Sequence, residues 1–256
     1  MALGLPSLAS FSVEILPAID STNSELMRRA RAGRTEPTLL IAEQQTAGRG
    51  RMGRDWQSKP GDSLTFSFGI KLSPTNWEGL SLAVGTSVAQ SLGEGTDQIR
   101  LKWPNDLWFQ SRKLAGILIE TATTTTNSGT MATSAERYCV IGIGINIAPC
   151  PPDPSLRTPA AWLQELHPAS SPQSALEQLF TRLLVDILQF EREGFAAFSS
   201  RFAALDALQG QDVALSDGLA GVARGVDATG ALLVHTSQGT QRVASQEVSV
   251  RPQTSV

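Results

Sequence analysis

The sequence predicts an α+β protein built in two parts. Over most of its 256 residues, short apolar runs of strand length alternate with amphipathic helical patterns. Towards the C-terminus, short β-branched runs are separated by turn dipeptides about 9–12 residues apart, a spacing typical of a small β-barrel or sandwich. These dipeptides are Asp217-Gly218, Thr229-Gly230 and Gln238-Gly239. We therefore expect one domain over residues 1–209 and a small β domain over residues 210–256.

The first domain is expected to open with a helix followed by two strands. Residues 22–25 fit the capping box T-x-x-E, which predicts a helix that begins within residues 21–23 and ends near Gly33. The apolar run 38–43 has the length of a strand. Alternation over residues 63–71 predicts a second strand.

The middle of the chain predicts one helix and four strands. Leu80, Val84, Val88 and Leu92 recur every four residues, which indicates an amphipathic helix within residues 76–93. Strands are expected at residues 99–102, 106–109, 113–121 and 138–147. The Thr/Ser/Asn/Gly stretch 123–136 predicts an exposed hairpin excursion, and the prolines between residues 149 and 159 exclude regular structure there.

Two helices are expected to complete the first domain. The first has one apolar face, and Gly194 ends it. A second helix is expected over residues 195–208. The apolar face is formed by Leu176, Leu179, Phe180, Leu183, Leu184, Ile187 and Phe190.

The composition is that of an ordinary cytoplasmic enzyme. Hydrophobic residues make up 41% of the chain and the net charge is -3, so nothing general favours nucleic-acid binding. Two cysteines and two histidines, none at metal-binding spacing, give no reason to expect a structural metal. The first twenty residues lack the basic region of a signal peptide, and no apolar stretch reaches the ~18 residues needed to span a bilayer.

The most informative segment is the glycine–arginine loop, residues 48–54 (GRGRMGR). Its glycines allow turns with positive φ and close approach of backbone N–H groups, and its arginines offer forked donors to phosphate or carboxylate. The segment also fits the dinucleotide fingerprint G-x-G-x-x-G, which requires a helix directly after it. Pro60 and Gly61 would break such a helix at once, so we expect an anion-binding loop instead. A solvated basic loop without function is the plain alternative.

A second polar constellation follows at residues 102–106 (KWPND). Pro104 disfavours helix at Trp103, which predicts a shaped turn between strands. Lys113 lies seven residues after Asp106, at the start of an apolar strand. A lysine in that position usually has no function beyond placing a solvated side chain at the end of the strand. Beside Asp106 and the glycine–arginine loop, it is a candidate to grip an anion in a low-dielectric site.

With these motifs the chain resembles the biotin protein ligases, also called biotin–[acetyl-CoA-carboxylase] ligases. The likeness extends over about residues 18–250. Four motifs match in order and spacing. They are Ser21-Thr22-Asn23; Gln45 with the glycine–arginine loop and Trp56; KWPND leading to RKLAGI at residues 112–117; and GIGIN at residues 142–146.

The resemblance implies both a fold and a reaction. The fold is a mixed β-sheet flanked by helices, a catalytic domain like that of class II synthetases, followed by a small SH3-like β-barrel. The reaction joins biotin and ATP into biotinyl-5′-AMP, with Mg²⁺ carried by ATP, and passes biotin to one lysine of a biotin carboxyl carrier protein. A monomer or a homodimer would agree with the family. Only twenty residues precede Ser21, too few for the DNA-binding domain of bifunctional members, so we expect a monofunctional enzyme.

The resemblance also implies the site residues. The catalytic candidates are Lys113 and Arg51, which would cancel the repulsion between two anionic substrates, and Asp106, which would orient the incoming amine. The glycine–arginine loop would order over the intermediate and exclude water. Biotin contacts are expected from Ser21, Thr22, Asn23, Gln45, Arg49, Gly50, Arg51 and Lys113. The adenylate contacts are expected from Arg54, Trp56, Asn105 and Asn146, and no metal ligand is expected.

Two other functions remain open from the sequence. Lipoate or octanoate ligases and transferases share the fold, but by resemblance they carry a differently composed glycine loop. A non-catalytic regulator that binds biotin or its adenylate is the other alternative, against which the intact Lys113 and arginine set argue.

Overall fold

A mixed seven-stranded sheet forms the body of the computed structural model, which describes residues 11–93, 96–123, 136–150, 158–216, 218–244 and 251–252. Its strands are β1 (Ser12–Ile19), β2 (Thr38–Gln45), β5 (Ser63–Leu72), β6 (Ile99–Lys102), β7 (Asp106–Phe109), β8 (Arg112–Thr123) and β9 (Arg137–Asn146). They are ordered β1-β2-β5-β9-β8-β7-β6; β1 is parallel to β2, and the other pairs are antiparallel. Two short strands, β3 (Gly48–Arg49) and β4 (Asp55–Trp56), form a separate hairpin.

Helices cover both faces of this sheet. They are α1 (Thr22–Arg31), α2 (Leu80–Leu92), α3 (Pro172–Glu193) and α4 (Ser199–Ala203). Side chains alternate along a strand, so β9 directs Tyr138 and Val140 towards α1 and Cys139 and Ile141 into the larger core with α2 and α3. The predicted mixed sheet flanked by helices is confirmed.

A five-stranded antiparallel sheet follows near the C-terminus. It consists of β10 (Asp212–Ala214), β11 (Ala220–Val226), β12 (Leu232–Thr236), β13 (Gly239–Val243) and β14 (Arg251–Pro252), in the order β13-β12-β11-β10-β14. The small β domain is therefore confirmed as a fold. Its buried residues Val213 and Leu232 belong to the same hydrophobic core as Leu205 and Leu208. The division at residues 209 and 210 stays a prediction.

Two local predictions were wrong, and one strand was missed. Ser21, and not Thr22, is the N-cap of α1, where its Oγ accepts a hydrogen bond from the backbone N–H of Ser24; Glu25 pairs with arginines of its own helix instead. The helix expected over 195–208 is a 3₁₀ turn (Phe195–Phe198) and the short α4. Strand β1 was not predicted at all.

Two further expectations lie outside the described residues. The hairpin excursion expected over residues 123–136 falls almost entirely on residues 124–135, and the proline segment falls mostly on residues 151–157. Within the parts of the chain that are described, no helix has both the length and the apolar character needed to cross a bilayer.

Candidate functional site

All thirteen predicted site residues line one cavity of about 2050 Å³. The start of α1, the glycine–arginine loop, the turn between β6 and β7, and strands β8 and β9 surround it. The residues are Ser21, Thr22, Asn23, Gln45, Arg49, Gly50, Arg51, Arg54, Trp56, Asn105, Asp106, Lys113 and Asn146. The fold thus brings together residues that are up to 125 positions apart in the sequence.

A buried polar cluster occupies the α1 end of the cavity. Gln45 Oε1 accepts hydrogen bonds from the backbone N–H of Thr22 at 2.7 Å and from its Oγ1 at 3.1 Å. Asn23 Oδ1 accepts from Ser67 Oγ at 2.6 Å, while its Nδ2 donates to Glu120 Oε2 at 3.1 Å. Buried polar groups cost free energy unless they are paired, so these bonds fix the side chains in place before any ligand binds.

The glycines of the GIGIN motif clear space for two of the site side chains. A Cβ on Gly142 would lie 2.1 Å from Asn23 Oδ1, and one on Gly144 would lie 2.3 Å from Trp56 Cε2. Neither distance is possible for a real side chain. The motif is glycine-rich because Asn23 and Trp56 pack directly onto the backbone of β9.

Two cations and one carboxylate line another part of the same cavity. Lys113 Nζ pairs with Asp106 Oδ1 at 2.8 Å and lies 5.9 Å from the centre of the Trp56 ring. Burial lowers the pKa of the Arg51 guanidinium, and the charge of Asp106 opposes that change. Arginine stays protonated even so. A partly desolvated region with more positive than negative charge is suited to an anion.

The glycine–arginine loop is the tip of the β3–β4 hairpin. Gly50 donates its backbone N–H to the carbonyl oxygen of Arg54 at 2.7 Å, and strand β4, not a helix, follows the loop. The dinucleotide-binding alternative therefore fails on structure as well. Gly48 is required because a Cβ there would lie 2.3 Å from the carbonyl oxygen of Trp56.

The two asparagines expected to meet the nucleotide also brace the backbone. Asn105 Nδ2 donates to the carbonyl oxygen of Ile117 at 2.9 Å. Asn146 Nδ2 donates to those of Lys113 and Ala161, both at 3.1 Å. Their amide nitrogens thus hold the wall of the cavity in position.

Several residues at the site were not predicted from the sequence. Ser67 and Glu120 hold Asn23 from strands β5 and β8. Trp162 lines the cavity with a buried indole N–H that has no hydrogen-bond partner. It follows the proline segment in an irregular stretch, so no periodicity marked it. Among the described residues, no group of three His, Cys, Asp or Glu side chains could hold a metal ion.

Comparison with known proteins identifies two family regions. Residues 15–146 match the biotin/lipoate A/B protein ligase family, and residues 210–251 match the biotin protein ligase C-terminal domain. The chain is 37% identical to the bifunctional ligase/repressor BirA of Escherichia coli over 96% of this chain and 76% of that protein. It is 28% identical to the biotin–[acetyl-CoA-carboxylase] ligase of Mycobacterium tuberculosis over 92% of this chain and 88% of that protein.

A solved structure shares the fold over nearly the whole chain. The biotin protein ligase from Aquifex aeolicus, determined in complex with biotin and ATP, superposes with a TM-score of 0.78. The two sequences are 28% identical, and the match covers 94% of this chain and 99% of that one.

Proposed function

Because the chain belongs to the biotin/lipoate A/B protein ligase family, we propose that it activates biotin as biotinyl-5′-AMP and transfers it to a lysine of a biotin carboxyl carrier protein. One observation carries the proposal: a largely buried cluster of hydroxyl and amide side chains and a cationic region line the same cavity. The first suits a neutral polar head group, and the second suits an anion.

The polar cluster would recognise the ureido group of biotin. That group offers neutral N–H donors and a carbonyl acceptor, which match the hydroxyls and amides of Ser21, Thr22, Asn23 and Gln45. A ligand that left one of these buried groups unpaired would lose roughly 1–3 kcal/mol. Arg49 and Gly50 would cover the bound molecule from the loop.

The cationic region would carry the first reaction. A biotin carboxylate oxygen attacks the α-phosphorus of ATP, a new C–O–P bond forms, and the bond to the β-phosphate breaks to release pyrophosphate. Both reactants are anions, so Lys113 and Arg51 would cancel their repulsion and stabilise the charge that develops on the leaving group. The substrate itself supplies the nucleophile, so no side-chain nucleophile is required.

The nucleotide half of the intermediate would lie against Arg54, Trp56, Asn105 and Asn146. Trp56 offers a flat face, and the asparagine carbonyl oxygens can accept from an amino group, since their amide nitrogens donate to the backbone. Magnesium would arrive with ATP, held mainly by phosphates and water.

The second reaction would transfer biotin to the carrier. The neutral amine of the carrier lysine attacks the acyl carbon, the bond to AMP breaks, and AMP leaves. Asp106 would orient this amine, because its carboxylate lies beside Lys113 at the reacting end of the cavity. The carrier would be a carboxylase subunit or domain, in line with the names of the relatives.

Biotin-dependent exchange of labelled pyrophosphate into ATP tests this proposal. We expect exchange with biotin and none with lipoate or octanoate. Lipoate-dependent exchange would assign the chain to the rival branch of the family. Binding of biotin without any exchange would mark it as a non-catalytic regulator.

A further inference from the structure

Glu120, on β8, holds two separate parts of the cavity wall at once. Its Oε2 accepts a hydrogen bond from Asn23 Nδ2 at 3.1 Å, and its Oε1 pairs with Arg49 Nη2, also at 3.1 Å. Arg49 Nη1 donates to Ser24 Oγ at 3.1 Å. One carboxylate therefore joins the start of α1, strand β8 and the glycine–arginine loop.

A carboxylate is an unexpected group in this position. The proposed substrates are both anions, and Glu120 repels them while it takes no part in the proposed chemistry. The carboxylate of Glu120 also neutralises part of the positive charge of Arg49, which would otherwise attract these anions. The arrangement is explained if Glu120 serves to hold the glycine–arginine loop in position.

The loop is held loosely by its own backbone. The β3–β4 hairpin has two paired positions on each strand, and Met52 at its tip has a φ of 56° and is 71% exposed. A two-stranded ribbon of this length is not stable by itself. Contacts such as those of Arg49 with Glu120 and Ser24 are needed to keep the loop against the cavity.

We propose that Glu120 is a positioning residue that latches the glycine–arginine loop to the cavity wall through Arg49. The idea that the latched loop retains the adenylate rests on the proposed function, whereas the latch itself does not. The side chains of Arg49 and Glu120 are 47% and 23% exposed, so the pair is a weak one. A weak pair suits a loop that must open in every cycle to admit substrates.

Glu120→Gln isolates the latch from the rest of the site. Glutamine keeps the shape of the side chain and an oxygen that can accept from Asn23, but it removes the charge that attracts Arg49. Arg49→Gln removes the same interaction from the other side. Glu43→Gln is the matched control, because Glu43 is exposed on β2 and lies outside the cavity lining.

Hydrogen exchange of backbone amides 48–56 in the free protein measures the latch directly. We expect Glu120→Gln and Arg49→Gln each to speed exchange about two- to fivefold, the effect of losing an exposed ion pair. The double variant should exchange no faster than the faster single variant, and Glu43→Gln should match the wild type. Wild-type exchange in Glu120→Gln, or single effects that multiply in the double variant, would overturn the latch.

A second measurement connects the latch to retention of the intermediate. With labelled biotin and ATP, the adenylate should dissociate about two- to fivefold faster from Glu120→Gln than from the wild type. Dissociation at the wild-type rate would overturn this role of the latch. If the wild type shows no biotin-dependent pyrophosphate exchange, the proposed function fails, and the hydrogen-exchange result still decides the latch.

Discussion

At the scale of single residues, Lys113 is the group on which the proposed chemistry depends most. Replacing it with alanine removes the point charge next to Asp106 and Trp56. We expect Lys113→Ala to lower biotin-dependent pyrophosphate exchange by about 100-fold or more, the usual cost of losing a preorganised charge at a reacting centre. Circular dichroism should show an intact fold.

Lys59→Ala provides the control for this experiment. Lys59 is an exposed lysine in the same region of the chain but does not line the cavity. Its replacement should leave exchange at the wild-type rate. Exchange by Lys113→Ala within about threefold of the wild type would show that the lysine only pairs with Asp106.

At the scale of elements, the glycines of β9 set how closely Trp56 approaches the sheet. Gly144→Ala forces a Cβ to within 2.3 Å of the Trp56 ring, so the ring or the strand must shift. We expect the free energy of unfolding to fall by about 1–3 kcal/mol, the cost of overpacking. Urea denaturation measures it.

Gly50→Ala is the matched variant within the glycine–arginine loop. Its φ of -108° suits any residue, and a Cβ there would come no closer than 3.5 Å to its neighbours. Its free energy of unfolding should stay within about 0.5 kcal/mol of the wild type. Equal losses in the two variants would contradict the packing explanation for the motif.

Strand β9 also makes the fold sensitive to alkali. Burial raises the pKa of Tyr138 and of Cys139, each to about 12, on opposite faces of the strand. Above pH 9 the unfolded chain loses these protons before the folded protein does, so stability falls as pH rises towards 12.

The thiol part of this effect can be removed by mutation. In Cys139→Ala the free energy of unfolding should fall less steeply between pH 8.5 and 10.5, by up to about 1.4 kcal/mol per pH unit. Urea midpoints over this range measure it. An unchanged slope would show that Cys139 does not contribute to the alkaline loss.

The elements differ in how far the sequence could predict them. The strands of the sheet centre were predicted because their apolar runs and turn residues are local patterns. Strand β1 was missed because Pro17 interrupts it, and an edge strand tolerates such a residue. The spacing of Phe195, Phe198 and Phe202 imitates a helix, but there the phenylalanines are buried from a 3₁₀ turn and a short helix.

The site residues also differ in whether a local sequence pattern reveals them. The motif residues could be found because each motif is contiguous. Ser67 and Glu120 could not be found in that way, because their partner Asn23 lies 44 and 97 residues away. Such pairs exist only once the sheet has brought β5, β8 and α1 together.

At the scale of the whole molecule, the C-terminal sheet supports the turn that carries Asp106. Trp103 is completely buried, and its indole N–H donates to the carbonyl oxygen of Gly230 at 3.0 Å, in the turn before β12. In the same turn, Asp227 accepts from Thr229 and from Arg242, and these bonds outweigh burial and lower the pKa of Asp227 to about 2. These bonds define the conformation of the turn whose Gly230 carbonyl accepts from Trp103.

Two tryptophan variants separate this support from simple packing. Trp103→Phe removes the N–H and leaves the Gly230 carbonyl without its indole donor, whereas the buried indole N–H of Trp108 has no partner to lose. Trp103→Phe should therefore cost about 1–3 kcal/mol more unfolding free energy than Trp108→Phe, as measured by urea denaturation. It should also slow the transfer of biotin to the carrier, the step in which Asp106 is proposed to orient the amine, because Asp106 lies three residues from Trp103. Equal losses in the two variants would mean that the C-terminal sheet only covers this tryptophan and does not hold the turn.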